Sequence, residues 1–435
     1  MAFNELVNAA GDYTIASIGT PVTNKYVTTN DICATAAFIP EDILRLVFED
    51  VLSTVKYRPW DEQLPRSFQV AALSHTACVL VSVCRHWRYV GLHAPRIWAA
   101  IHLRWPFNRH ASDDEQQPPI AAEHAIAWAD MHLERSLNTP LRISMMIYSP
   151  RAVQSAPMLI SRFLTQAARI ESLDIEVGGG KNNLASDMVL ESLIVPFRGL
   201  RYLTLSCNQY GVDSVLAILA NSPALETLKL AGTRADTVDT GVVIKPQVTL
   251  SCLHTLTLSE LNTSCFVPGQ LLLTPSLTTL IWHAPRFPHA SSQLGAMITA
   301  ATLCPQWRTL RLEKLYSDMQ RGCVGTYIVP RLRELAQMTH LTIANSNVPD
   351  DVMEALGDRN APLCPGLTHL VLLDNQYEYE GNMVSLQKRL QMQGARNAHL
   401  AYIAIDNHYK FDLLKNAAKE AGCELHLLTR RFRQR

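Results

Sequence analysis

The dominant pattern in the chain is a strand-like alternation that keeps returning. From about residue 165 onward, apolar residues fall at the first, fourth and sixth positions of a unit Leu-x-x-Leu-x-Leu. It begins at Leu200, Leu225, Leu253 and Leu277, and then with Trp307, Met338 and Leu367 in the first position. A looser copy begins at Leu400 and an earlier one at Ile170. Alternation of period two predicts a half-buried strand in each copy. Three segments between copies, 212 to 223, 294 to 305 and 352 to 365, have helical spacing instead. A proline stands two residues before the first apolar anchor at Pro223, Pro275, Pro305 and Pro365. Proline cannot continue a helix, so it is expected to end each return and let the next strand start extended. Asn208 and Asn375 follow two of the strands, where a side-chain amide can satisfy backbone groups at the turn.

Successive copies start 24 to 33 residues apart, the period of leucine-rich repeats, and the longer intervals favour helical returns. One strand with one return cannot bury its own apolar face, whereas stacked copies share a continuous core. The expected fold class is therefore α/β: a leucine-rich-repeat solenoid, a curved parallel sheet with helical returns, preceded by a small all-α module. Within each unit the non-leucine positions face outward. They include Tyr202, Thr204, Thr227, Lys229, Thr255, Thr257, Thr279, His283, Thr309, Arg311, His340, Thr342 and His369. Threonine suits an exposed strand for conformational reasons alone, so Lys229, Arg311, His340 and His369 are the candidates for binding a substrate.

The N-terminal third reads differently. Residues 1 to 37 carry no sustained period and read as a disordered tail. In IPEDILRLVFEDVL, Pro40 suits a first helical turn, Glu41 and Asp42 complement the positive helix end, and Ile43, Leu44, Val47, Phe48, Val51 and Leu52 recur at helical spacing. Pro59 and Pro65 break the next stretch, and a second helical pattern runs from about Ala71 to Val90, ended by Gly91 and Pro95. The polar, proline-flanked segment 105 to 119 reads as a linker. The expected division is a tail at 1 to 37, a helical module at 38 to 104, the linker, and a repeat domain at 120 to 435, whose first elements are a helix at 120 to 136 and the strand PLRISMMIY.

Ile39-Pro40, Ile43, Leu44, Val47, Phe48, then Val83, Cys84 and Trp87 in VSVCRHW, then Trp98 in APRIW, resemble the F-box in order and combination. Ile39 stands where leucine is commoner, and about twenty extra residues, within 53 to 75, lie between the two helical parts. The helix ending in Glu-Arg-Ser and the strand Pro-Leu-Arg-Ile-Ser make the whole chain look like the large F-box families of mushroom-forming fungi. The resemblance implies that these ten residues bind a Skp-type adaptor and, through it, a cullin scaffold. The repeat domain would then recruit a protein substrate for ubiquitylation, without catalysing the transfer itself. Read from the residues alone, the same side chains could equally form the core of a helical folding cap on a repeat scaffold.

Composition narrows the picture further. The 39 basic and 39 acidic residues cancel, so no global field favours nucleic acid or an anionic membrane. No apolar run approaches the roughly 20 residues that cross a bilayer, and the first residues do not resemble a secretory signal; a cytoplasmic or nuclear location is expected. The ten cysteines are scattered, mostly in apolar segments, as small buried hydrophobes rather than a disulfide framework or a zinc site. Neither Cys84 with His86 nor Cys252 with His254 has paired-ligand spacing, and no metal or cofactor is expected. Gly-x-Ser-x-Gly, His-Glu-x-x-His and phosphate-loop patterns are absent, and VGGGKNN at 177 to 183 lacks the Gly-Lys-Ser/Thr spacing. The pairs Asp406 with His408 and Asp374 with His369 carry little weight for catalysis. The basic run Arg430, Arg431, Arg433, Arg435 reads as a solvated tail.

Overall fold

The computed structural model describes residues 39–54, 75–105, 122–147, 150–178, 184–207, 209–232, 234–235, 248–259, 271–283, 304, 306–313, 323–344, 346, 350–356, 358, 363–373, 386–387, 389–390, 400–405 and 408–427. The expected tail at 1 to 37, the linker at 106 to 119, most of the insert at 53 to 75 and of the return at 294 to 305, Asn208, Asn375, Asp374, Asp406 and the arginine-rich end lie outside them. The chain divides into two compact units, one comprising 1–105 and 120–144, the other 106–119 and 145–435. The boundary differs from the sequence reading, which grouped 120 to 144 with the repeats.

The first unit holds α1 (Glu41–Thr54), α2 (His75–Ser82), α3 (Arg85–Leu92), α4 (Pro95–Trp98), the strand β1 (Ala100–Trp105), α5 (Ala122–Arg135) and the start of β2 (Leu141–Ile147). Helix α1 starts where the Pro40 carbonyl accepts the Leu44 N–H at 2.9 Å, with Glu41 and Asp42 in its first turn against the positive helix end. Cys84 caps α3, its Sγ accepting the Trp87 N–H at 3.5 Å, and Pro95 opens α4. Leu44, Phe48, Leu80, Val81, Val90, Ile97 and Trp98 form the core. Gly91 is required by packing: a Cβ there would stand 2.5 Å from Val81 Cγ1, closer than carbon atoms approach. Helix α5 belongs with this unit because His132 Nδ1 donates to the Trp98 carbonyl at 3.0 Å and the Arg135 guanidinium lies 4.5 Å from the centre of the Trp98 ring.

The second unit is α/β, and the repeated unit is its strand. Its main sheet runs β3 (Ile170–Val177), β4 (Tyr202–Cys207), β6 (Thr227–Ala231), β9 (Thr255–Ser259), β11 (Thr279–His283), β12 (Thr309–Glu313), β13 (His340–Ala344), β14 (His369–Leu373), β15 (Tyr402–Ile405) and β16 (Glu424–Leu427), in chain order. Every pair from β3 to β16 is parallel. Two minor pairs, β5 (Gln209–Tyr210) with β7 (Arg234–Ala235) and β8 (Val248–Thr249) with β10 (Leu272–Leu273), accompany it.

Register explains the leucine spacing. Leu203, Leu228, Leu256, Leu280, Leu310, Leu341, Leu370 and Ile403 stand opposite one another across eight strands, and all are buried. The prolines act in a turn, not simply as helix stops. The N–H of Leu225, Leu277 and Leu367 bonds back to the carbonyl of Ser222, Thr274 and Cys364, which puts Pro223, Pro275 and Pro365 at the second position of a β-turn, where a fixed φ suits them. The Cys304 carbonyl and Trp307 N–H close the same turn.

The returns are mixed. The helices α6 (Pro150–Leu164), α7 (Leu184–Ser192), α8 (Val212–Ala220), α9 (Cys323–Glu334), α10 (Asp350–Leu356) and α11 (His408–Glu420) alternate with strands, but the returns before Leu253 and Leu277 contain β8 and β10. Among the described residues, no helix is long and apolar enough to cross a membrane.

Candidate functional site

Helix α1 is apolar on two faces. Leu44 and Phe48, four residues apart, are fully buried, whereas Ile43, Leu46 and Val47 are 47%, 61% and 41% exposed. Spacings of three and four place each set on its own side of the helix. An ordinary surface helix needs one such stripe, so the second is surplus to the interior of this unit. Val79 on α2, Val83 in the turn before α3, and Tyr89 on α3 are also exposed. These side chains account for half of the exposed large hydrophobic residues described.

The ten residues expected to bind an adaptor therefore separate. Leu44, Phe48 and Trp98 are sealed in the core, which corrects their assignment as contact residues: they have no surface left to offer. Trp98 is held there by donating its Nε1–H to the Gly91 carbonyl at 2.9 Å. Ile43, Val47, Val83 and Pro40 are exposed, while Ile39, Cys84 and Trp87 are half-buried. Trp87 meets Phe48 edge to face at 5.1 Å, and its buried Nε1–H finds no acceptor among the described residues. His86 Nε2 lies 3.0 Å from the Ile39 carbonyl, tying the start of α1 to α3. Leu46 and Val79 escaped the sequence reading, although the spacing of Leu46 from Ile43 carried the signal.

On the sheet, the four candidate substrate contacts do not gather. Lys229 is exposed on β6, four strands from His340, about 19 Å at ordinary strand spacing. Arg311 is engaged by Glu313, Nε to Oε1 at 2.5 Å. His340 and His369 do meet: they are paired in register and their rings stack at 4.1 Å and 14°. Tyr402 stacks on His369 at 5.6 Å and His426 on Tyr402 at 4.9 Å, extending the row over four strands. Burial and the neighbouring His369 hold His340 below the usual imidazole range.

A second polar row crosses the strand ends. Ser259 Oγ lies 3.0 Å from His283 Nδ1, and His283 Nε2 lies 3.2 Å from Glu313 Oε2. Hydroxyl, imidazole and carboxylate follow the order of an acyl-transfer relay. Here Glu313 shares its charge with Arg311 and Ser259 is buried, so the row acts as a tie between β9, β11 and β12. The sequence could not disclose it, since its members lie a repeat apart and meet only through register.

Three buried thiols are poorly suited to nucleophilic work. Burial pushes Cys207 and Cys364 up to about 12 and Cys423 up to about 11, which keeps each in its unreactive protonated form at neutral pH. Among the described residues, no three or more His, Cys, Asp or Glu side chains gather to hold a metal ion. No family model and no curated protein matches the chain.

Proposed function

We propose that the chain is a substrate-recruiting adaptor of a Skp-cullin-F-box type ubiquitin ligase. Its helical unit serves as an F-box-like module that docks on a Skp-type adaptor, and its strands are leucine-rich repeats that bind a protein substrate in the cytoplasm or nucleus. The observation that carries the reading is the second apolar face of α1, in a unit whose IPEDILRLVF, VSVCRHW and APRIW segments follow the F-box order. Ile43, Leu46 and Val47 are what a partner helix would cover, each well-buried anchor contributing about 1.5–3 kcal/mol before the costs of association. Leu44, Phe48 and Trp98 act one step removed, by holding α1 in place.

The test is co-purification with a Skp-type adaptor. Wild type is expected to bind, and the Ile43→Asp/Val47→Asp double variant, which changes only exposed positions, is expected to fold and lose the adaptor. A rival reading, in which the helical unit is a folding cap alone, draws on the burial of Leu44, Phe48 and Trp98. It predicts no adaptor binding by wild type.

A further inference from the structure

The outward face of the sheet holds two kinds of unspent polar group. Lys229 is the first: exposed on β6, it makes no ion pair or hydrogen bond among the described residues. The cations nearby are already matched, Arg201 by Glu171 at 3.7 Å and Glu226 at 2.6 Å, and Arg311 by Glu313. The second is a pair of ring nitrogens. Two adjacent repeats spell Thr-His-Leu, at Thr339-His340-Leu341 and Thr368-His369-Leu370. Thr339 Oγ1 donates to the Arg308 carbonyl at 3.3 Å and Thr368 Oγ1 to the Thr339 carbonyl at 3.0 Å, and each hydroxyl lies 2.8 Å from the Nδ1 of the histidine that follows it. A hydroxyl has one proton to give, so each accepts from Nδ1–H and leaves Nε2 with a lone pair. Neither Nε2 has a partner among the described residues.

The row between these groups is short and uncharged: Thr227, Thr255, Thr279 and Thr309 stand in register on four successive strands and lead to His340. Lys229 is in register, through Thr257, Ile281 and Arg311, with Thr342, two residues beyond His340. Four strand spacings of about 4.8 Å and two residues at about 3.3 Å put Lys229 and His340 about 20 Å apart on the diagonal. We propose that this face reads an extended, bipolar segment of a protein substrate, with a carboxylate on Lys229 and an arginine, six residues away, on His340 and His369. The spacing follows from parity. An extended chain turns alternate side chains to one face and advances about 3.3 Å per residue, so two side chains that both meet the sheet are an even number apart, and six residues cover about 20 Å where four cover about 13 Å and eight about 26 Å. Arginine suits the histidine end because its planar fork is all donors and always charged, and neutral imidazoles accept from it without repelling it. The inference rests on the reading that the repeats bind a protein substrate and is independent of adaptor docking.

The probe is a phage-displayed library of random decapeptides, panned at neutral pH on the immobilised full chain. Wild type should enrich sequences in which Asp or Glu stands six places from Arg. On Lys229→Glu the acidic preference should turn basic, and a peptide selected by wild type should bind about tenfold more weakly. His340→Ala/His369→Ala should keep the acidic preference and lose the arginine. Nitrogen-15 spectra of the free protein should show Nδ1–H on both rings. Enrichment of peptides without the paired charges, an unchanged acidic preference on Lys229→Glu, or Nε2–H on both rings would overturn the bipolar segment and leave substrate binding by the repeats standing. No enrichment at all would count against both, and adaptor co-purification from the same preparation shows whether docking stands apart from either.

Discussion

His132 shows what one buried side chain asks of its surroundings. Its Nδ1–H is committed to the Trp98 carbonyl, and its Nε2, enclosed in the same unit, finds no hydrogen-bond partner among the described residues. Burial pushes it down to about 4. A histidine that is neutral when folded but titrates near 6.5 when unfolded leaves the unfolded chain holding more protons between those values, so stability rises with pH across that window and is lost as pH falls through it. At about 1.4 kcal/mol per unit, the loss approaches about 3 kcal/mol below pH 4. Melting curves at pH 7 and pH 4.5 should show His132→Gln with a smaller acid shift than wild type; an identical shift would remove His132 from the account.

Arg389 makes a comparable demand. Buried and held below its usual range by desolvation, it donates to the carbonyls of Leu356, Leu363 and Cys364. Arg389→Met strands those acceptors and is expected to cost about 3 kcal/mol in denaturant unfolding. Arg389→Lys, lacking the fork, should recover only part. Neither role was legible from the sequence, where both residues look like solvated charges.

Among secondary-structure elements, the strands were legible and the returns only in part: the helical spacing at 212 to 223 meets α8 and that at 352 to 365 meets the end of α10, whereas β8 and β10 were not foreseen. Leu-x-x-Leu-x-Leu specifies which positions face inward, and parallel register then stacks each leucine on the next, so Leu256, Leu280 and Leu310 could be assigned to the core before any coordinates. Leu280→Ala should therefore cost about 2–5 kcal/mol. A cost below about 1 kcal/mol would mean that the ladder is not a shared core. Return segments answer to no such alternation. The short copy ending at Leu277 crosses by way of β10, yet the nearly as short copy ending at Leu225 fits a full helix, α8, because Val215, Leu216, Ile218 and Leu219 supply a buried face. Helix α1 marks the same limit. Ile43 and Val47 have the spacing of Leu44 and Phe48, and only tertiary neighbours decide which pair is inside.

For the whole molecule, 39 positive and 39 negative residues leave no field to steer a partner. The association proposed for α1 would then rest on apolar burial and should vary little with salt. The most direct measurement is hydrogen exchange of the intact chain with and without a Skp-type adaptor. Exposed side chains on α1 and at Val79 and Val83 define where the new protection should fall: residues 41 to 54 and 75 to 83 slow down, while the strands from β4 to β15 are unchanged. An adaptor that binds and leaves α1 exchanging at its free rate would contradict the claim that this helix carries a second face for another protein.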